Sequence, residues 1–123
     1  MEKSTVSTNR KAYHEFQIIE TFEAGIELLG SEVKSLREGN ASLRESYVLI
    51  KKGQAWLVGM HISAYSHTGF SGHEPIRKRR LLLHKNEILK INQKLAEKGL
   101  TAVPLKVYVN KRGWLKVEIG LAR

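Results

Sequence analysis

The chain has 123 residues and a net charge of +9, from 21 Lys and Arg against 12 acidic residues, all of them glutamate. With neither Cys nor Asp it holds no disulfide framework, thiol nucleophile or thiolate metal site, no Ser-His-Asp triad and no aspartate-rich calcium or magnesium loop. The length suits one domain with enough core to fold unaided. No N-terminal signal core and no run near ~18 apolar residues occurs, so a soluble, cytosolic, non-enzymatic protein is expected.

Residues 1–12 are polar and aperiodic, which predicts a flexible arm that orders only on a partner. Residues 13–123 predict a single barrel domain. Phe16, Ile18, Phe22, Ala24, Ile26 and Leu28 alternate with Glu15, Gln17, Thr21, Glu23 and Glu27, the period of a long half-buried strand. Ile19 and Glu20 interrupt it, and Gly25 suggests a bend. Gly30, a possible Ser31 cap and Gly39 bracket a short helix over 31–37. Tyr47–Lys51 and Ala55–Met60 predict two strands joined by Lys52-Gly53-Gln54.

Residues 61–80 lack periodicity and predict the longest loop. Leu81–Lys98 predicts the principal helix, with Leu81, Ile88, Ile91 and Leu95 on one face and Lys90, Lys94 and Lys98 on an adjacent one. Leu82 falls outside the apolar stripe. Val103–Val109 and Leu115–Leu121 alternate on either side of Lys111-Arg112-Gly113 and predict a second hairpin. The sum is a mainly β chain: a small closed antiparallel barrel, OB-fold-like, with two flanking helices.

The charge is lopsided. Residues 1–76 carry 8 basic and 9 acidic residues, whereas 77–123 carry 13 and 3. The excess centres on Arg77-Lys78-Arg79-Arg80 and points to an anionic partner, nucleic acid or a membrane surface. The membrane reading is the weaker one, because the lysines of the long helix lack flanking aromatics and its apolar stripe is needed by the barrel. Tyr13, Phe16, Tyr65, Phe70, Tyr108 and Trp114 are candidates to stack on bases, although most are expected to serve the core. His61, His67 and His73 are spaced too widely for a zinc site. No phosphate-binding loop, dinucleotide fingerprint or nucleophile elbow occurs, so neither cofactor nor metal is expected. Nucleic-acid binding without catalysis remains.

Several stretches resemble a known family. They are Asn9-Arg10-Lys11-Ala12, His14-Glu15-Phe16, Phe22-Glu23-Ala24-Gly25-Ile26, Gly30-Ser31-Glu32-Val33-Lys34-Ser35-Leu36-Arg37, Ser46-Tyr47, Arg79-Arg80-Leu81-Leu82-Leu83-His84 with Glu87, and Lys116-Val117-Glu118-Ile119-Gly120-Leu121-Ala122. Together, in this order, they are similar to small protein B, the SsrA-binding protein family of bacterial trans-translation. The resemblance implies an OB-type barrel that binds the tRNA-like part of transfer-messenger RNA, supports its aminoacylation and, with elongation factor Tu, delivers it to stalled ribosomes. A bacterial cytoplasmic monomer is expected.

By position, the family's RNA contacts fall on Asn9, Arg10, Lys11, His14, Glu23, Lys34, Arg37, Leu82 and His84. Arg77, Lys78, Arg79, Arg80, Lys90, Lys94 and Lys98 would form a second basic surface facing the ribosomal RNA of the 30S and 50S subunits. Glu23 is an unusual residue for an RNA surface; it either accepts hydrogen bonds from base edges and 2′-hydroxyls or holds a neighbouring cation. Phe16 stands where the family commonly has Tyr. Family members continue past the Gly-Leu-Ala segment into a basic tail, so a barrel without that tail is expected, binding RNA but failing in the ribosomal step. The rival reading is a ribosomal-protein-like OB domain that binds ribosomal RNA.

Overall fold

Strict alternation near the chain's end builds the centre of the sheet. In β8 (Thr101–Val109) and β9 (Leu115–Ala122), Val107, Val117, Ile119 and Leu121 turn inward, and the two strands pair antiparallel along their length. The computed structural model describes residues 4–64, 74–97 and 99–123. Tyr65, His67, Phe70, His73 and Lys98, singled out above, lie outside the described residues.

The remaining elements are β1 (Ser4–Thr8), α1 (Arg10–Glu15), β2 (Ile18–Ile26), α2 (Gly30–Arg37), β3 (Ala41–Ser42), β4 (Tyr47–Lys51), β5 (Gln54–Val58), β6 (His61–Ile62), β7 (Arg79–Leu82) and α3 (Lys85–Leu95). Seven strands form one sheet in the order β1-β8-β9-β2-β7-β5-β4, and β3 pairs with β6 as a separate ribbon. Every pairing is antiparallel. The barrel is not closed by hydrogen bonds, since β1 and β4 are left as edges among the described residues. The sheet curls until β4 approaches β8, and Leu36 of α2, Ile62 of β6 and Ile91 of α3 fill the core within the curl. None of the described helices is long and apolar enough to cross a membrane.

Four expectations need correction. The N-terminal arm is built into the fold: β1 pairs with β8, and α1 adds a third helix to the two expected. Periodicity misses α1 because six residues are too few to show it. Asn9 caps that helix, its side-chain oxygen accepting from the Ala12 N–H at 3.3 Å, while Ala12 packs on Val103, Leu105 and Ala122. α2 starts at Gly30, not at a Ser31 cap, because the Glu32 carboxylate reaches back to the Leu29 N–H. The 61–80 loop contains β6 and the start of β7. Leu81 and Leu82 belong to β7, and the long helix begins only at Lys85.

Other irregularities of the sequence have local causes. The break at Ile19 and Glu20 is a β-bulge against β9. Gly25 sits at a close approach, since a Cβ there would lie 3.3 Å from Leu82 Cβ and would press it outward. The β4–β5 turn is the two residues Lys52 and Gly53, both at positive φ, the conformation that suits a tight hairpin.

One buried ion-pair cluster joins α2 to β7. Glu32 and Arg79 are both fully buried. Glu32 Oε1 accepts from the Leu29 N–H at 2.8 Å and Arg77 Nη2 at 2.6 Å; Oε2 accepts from Arg77 Nε at 2.9 Å and Arg79 Nε at 2.7 Å. The rest of the Arg79 guanidinium donates to the carbonyls of Met60 (2.8 Å), Arg77 (3.1 Å) and Pro75 (3.1 Å). Burial alone would raise the Glu32 pKa, but donation from Arg77, the Leu29 N–H and Arg79 outweighs it and holds the carboxyl below its ordinary value. Burial lowers the Arg79 pKa against the pull of Glu32.

Removing one member of such a cluster strands a buried charge. Glu32→Ala should cost about 3–5 kcal/mol in denaturant unfolding. Glu32→Leu combined with Arg79→Met should be less damaging than Glu32→Leu alone. Because the folded pKa of Glu32 lies below the unfolded one, its contribution is complete above the ordinary carboxylate value of about 4.3 and fades as pH falls through the folded value. Thermal unfolding from pH 7 to 2 should therefore show a flatter acid limb in Glu32→Gln than in the wild type; identical limbs would refute the assignment.

Candidate nucleic-acid interface

The register of β7, β2 and β9 gathers residues that lie far apart in the chain. Gly25 pairs with Leu82 on one side and Lys116 on the other. An open groove results, lined by Glu23, Gly25, Leu82, Leu83, His84, Glu87 and Lys116. Three expected site residues, Glu23, Leu82 and His84, thus share one site. Leu82 is 45% exposed because β7 alternates: Arg79 and Leu81 point in, Arg80 and Leu82 out. His84 is the residue preceding α3, and its N–H donates to Glu87 at 3.0 Å.

Glu23 is fixed in place. The Tyr108 hydroxyl donates to its Oε2, and Tyr108 itself is buried, so among the aromatic candidates it is one that serves the core. Burial, then the Glu23 carboxylate, raises the Tyr108 pKa, so the phenol stays a donor at neutral pH. Glu118 stands opposite Glu23 on β9, a repulsive pairing of like charges. Burial and Glu118 raise the Tyr13 pKa as well. The exposed Glu23 carboxylate keeps acceptor capacity for amino, imino or 2′-hydroxyl donors. Beside it, Leu82 offers an apolar edge and Lys116 a phosphate contact.

α1 packs against β8, and its Arg10, Lys11 and His14 are all exposed. Lys11 pairs with Glu15 at 3.8 Å. Arg10 and Lys11 line a second groove with Arg44 and Glu45. Asn9 is different: it is nearly buried, its amide donates to the Pro104 carbonyl at 2.9 Å, and its oxygen caps α1. Its side chain is spent on holding the segment down. Lys34 and Arg37 are exposed on α2, and Arg37 Nη2 donates to the Gly113 carbonyl at 3.2 Å in the β8–β9 turn.

The expected second basic surface loses two of its members to the interior cluster, while Lys78, Arg80, Lys90 and Lys94 stay at the surface. Arg79 is interior and Arg77 is bidentate on Glu32. Arg80 faces Glu27 at 4.0 Å, and Lys78 lies over the Trp56 ring, 5.2 Å from its centroid. Lys90 pairs with Glu20 at 2.7 Å and Lys94 with Glu97 at 3.3 Å. The run of four cations is thus split by strand alternation and by carboxylates from the acidic half of the chain. Sequence reading missed Arg44 and Lys116 as groove residues; Lys116 lay inside a quoted motif, but only its register with Gly25 reveals its place.

The whole length of this arrangement is shared with known proteins. The family model described as "SmpB protein" matches residues 6–123. The chain belongs to the SmpB family. An SsrA-binding protein of Chlorobaculum tepidum is 59% identical over 99% of this chain and 78% of its own length. One of Sulfurihydrogenibium sp. is 55% identical over 100% and 80%. A chain of the solved structure described as "tmRNA-SmpB: a journey to the center of the bacterial ribosome" superposes with a TM-score of 0.78 at 46% identity, covering 94% of this chain and 81% of that one.

The division between interior and exterior arginines can be tested directly. Arg79→Ala should lose about 3–5 kcal/mol of stability, whereas Arg80→Ala should stay within about 0.5 kcal/mol of wild type in the same urea titration. Equal losses would mean that the run is a surface patch after all.

Proposed function

We propose that this chain is the RNA-binding adaptor of trans-translation. It binds the tRNA-like part of transfer-messenger RNA and carries that RNA to stalled ribosomes. The observation that carries this reading is the convergence of Glu23, Leu82 and His84 with Lys116 in one groove, within a chain of the SmpB family. An anchored carboxylate amid cations suits folded RNA, because it rewards donors at fixed positions and repels phosphates elsewhere. Arg10, Lys11 and His14 on the neighbouring helix supply backbone contacts, and Lys34 and Arg37 supply more on α2. Binding of this kind supports aminoacylation by holding the RNA's elbow, with no catalytic step by the protein itself. Delivery involves elongation factor Tu, and the protein acts as a monomer in the bacterial cytoplasm.

Salt-titrated binding of the tRNA-like domain, set against an ordinary tRNA and a single-stranded RNA of equal length, tests the reading. The tRNA-like domain should be preferred, and the preference should persist as salt rises, since purely phosphate-driven affinity falls steeply. Equal affinities that collapse together would overturn it. Glu23→Ala, and separately Lys34→Ala with Arg37→Ala, should weaken binding about 10- to 100-fold without loss of fold, the scale of charged hydrogen bonds removed. Unchanged affinity in both variants would remove these residues from the site.

A further inference from the structure

Two residues before Lys116 of the proposed groove, just ahead of β9, stands a tryptophan. Along β9, Leu115, Val117 and Ile119 face the core, so Lys116 and Glu118 face out, and Trp114 precedes them in the outward phase. Trp114 is 65% exposed, the most exposed large apolar side chain among the described residues. Its fold role is slight. Its backbone, by contrast, is held firmly. The Asn110 side-chain oxygen accepts from the N–H groups of Arg112 (3.0 Å) and Trp114 (2.9 Å). Asn110 N–H donates to the Trp114 carbonyl at 2.8 Å, and Arg37 clamps the turn from α2 through Gly113. The indole is thus presented on a fixed support, which reduces the ordering cost of binding.

Its surroundings are cationic. Lys111 and Arg112 are exposed neighbours in the same turn, and Lys116 is two residues on in the groove. None of the three forms an ion pair among the described residues, in contrast to Lys11, Lys90, Lys94, Arg77, Arg79 and Arg80. An exposed indole on a fixed turn, flanked by uncommitted cations, matches the physics of single-stranded nucleic-acid contact: the ring stacks on a base while the cations hold its phosphates. An apolar protein partner would leave Lys111, Arg112 and Lys116 without counter-charge.

We propose that Trp114, two residues before Lys116 of the Glu23–Leu82–His84 groove, is a stacking platform for one unpaired RNA base, with Lys111 and Arg112 on the flanking phosphates. The inference rests on the adaptor reading and adds to it a requirement: the bound RNA presents an extrahelical base beside the region read by Glu23.

Trp56→Phe leaves Trp114 as the only tryptophan. In that background, the tRNA-like domain should quench the remaining fluorescence on binding. Trp114→Ala should weaken binding about 5- to 150-fold, the value of one lost base stack, with the salt dependence unchanged. Trp114→Phe should recover part of the loss. Lys111→Ala with Arg112→Ala should lower the log–log salt slope by roughly 1.4, at about 0.7 per phosphate on a single strand. Wild-type affinity in Trp114→Ala, alongside weakened binding in Glu23→Ala, would overturn the platform and leave the adaptor reading standing. If the wild type shows no preference for the tRNA-like domain, the adaptor reading falls instead; quenching by an oligoadenylate then decides the platform, and its absence overturns that too.

Discussion

The fold hangs on a carboxylate that water does not reach. Glu32, from the first turn of α2, accepts from two arginines and its own helix's entry N–H, and Arg79 passes the connection on to the backbone before β7 and after β5. A helix, a strand and two loop segments are thereby fixed by one group of charges. Such a cluster is a poor source of net stability compared with apolar packing, but it penalises every arrangement in which one member is unpaired. Here that penalty sets the phase of β7. With Arg79 locked inward, Leu81 must follow it into the core, and Arg80 and Leu82 must face out. A shift of one residue would bury Arg80, strip Glu32 of a partner and take Leu82 off the surface.

The groove depends on that phase. Leu82 lies where Gly25 lets it approach β2, which brings it next to Glu23 and Lys116. Glu23 in turn is held by a phenol whose own burial keeps it protonated. The site is therefore assembled from strand positions with fixed neighbours, Glu23, Gly25, Leu82 and Lys116, together with the short β7–α3 connection that carries His84. That is the arrangement expected where recognition relies on donors and acceptors at set distances rather than on charge alone.

Much of this was legible in the amino-acid order. The alternation over 16–28, 103–109 and 115–121 located three long strands, and the quoted motifs named Glu23, Leu82 and His84 before any of them were neighbours. Local periodicity misassigned Leu81 and Leu82, because an apolar run between Arg80 and His84 fits a helix start as well as a strand. What decides it is the buried partner of Arg79, which is 47 residues away in sequence. The same distance hides the fate of the basic run. Formal charge counts Arg77 and Arg79 as surface, while the structure spends both on Glu32. Asn9 and the β1 segment looked unstructured for a related reason: their partners lie in β8, near the other end of the chain. Cross-strand pairs such as Gly25 with Lys116 carry no local signature at all.

The pairing of β1 with β8 bears on the order in which the molecule is made. Asn9 hydrogen-bonds to Pro104, 95 residues later. The Asn9–Pro104 bond and the β1–β8 register close a long loop, which is slow and unrewarded until both ends are available. During synthesis, the segment carrying Arg10, Lys11 and His14 emerges first and yet has nothing to pair with until β8 and β9 follow. The segment translated earlier is thus completed later, and a nascent chain seats β1 and α1 only once β8 and β9 have left the ribosome.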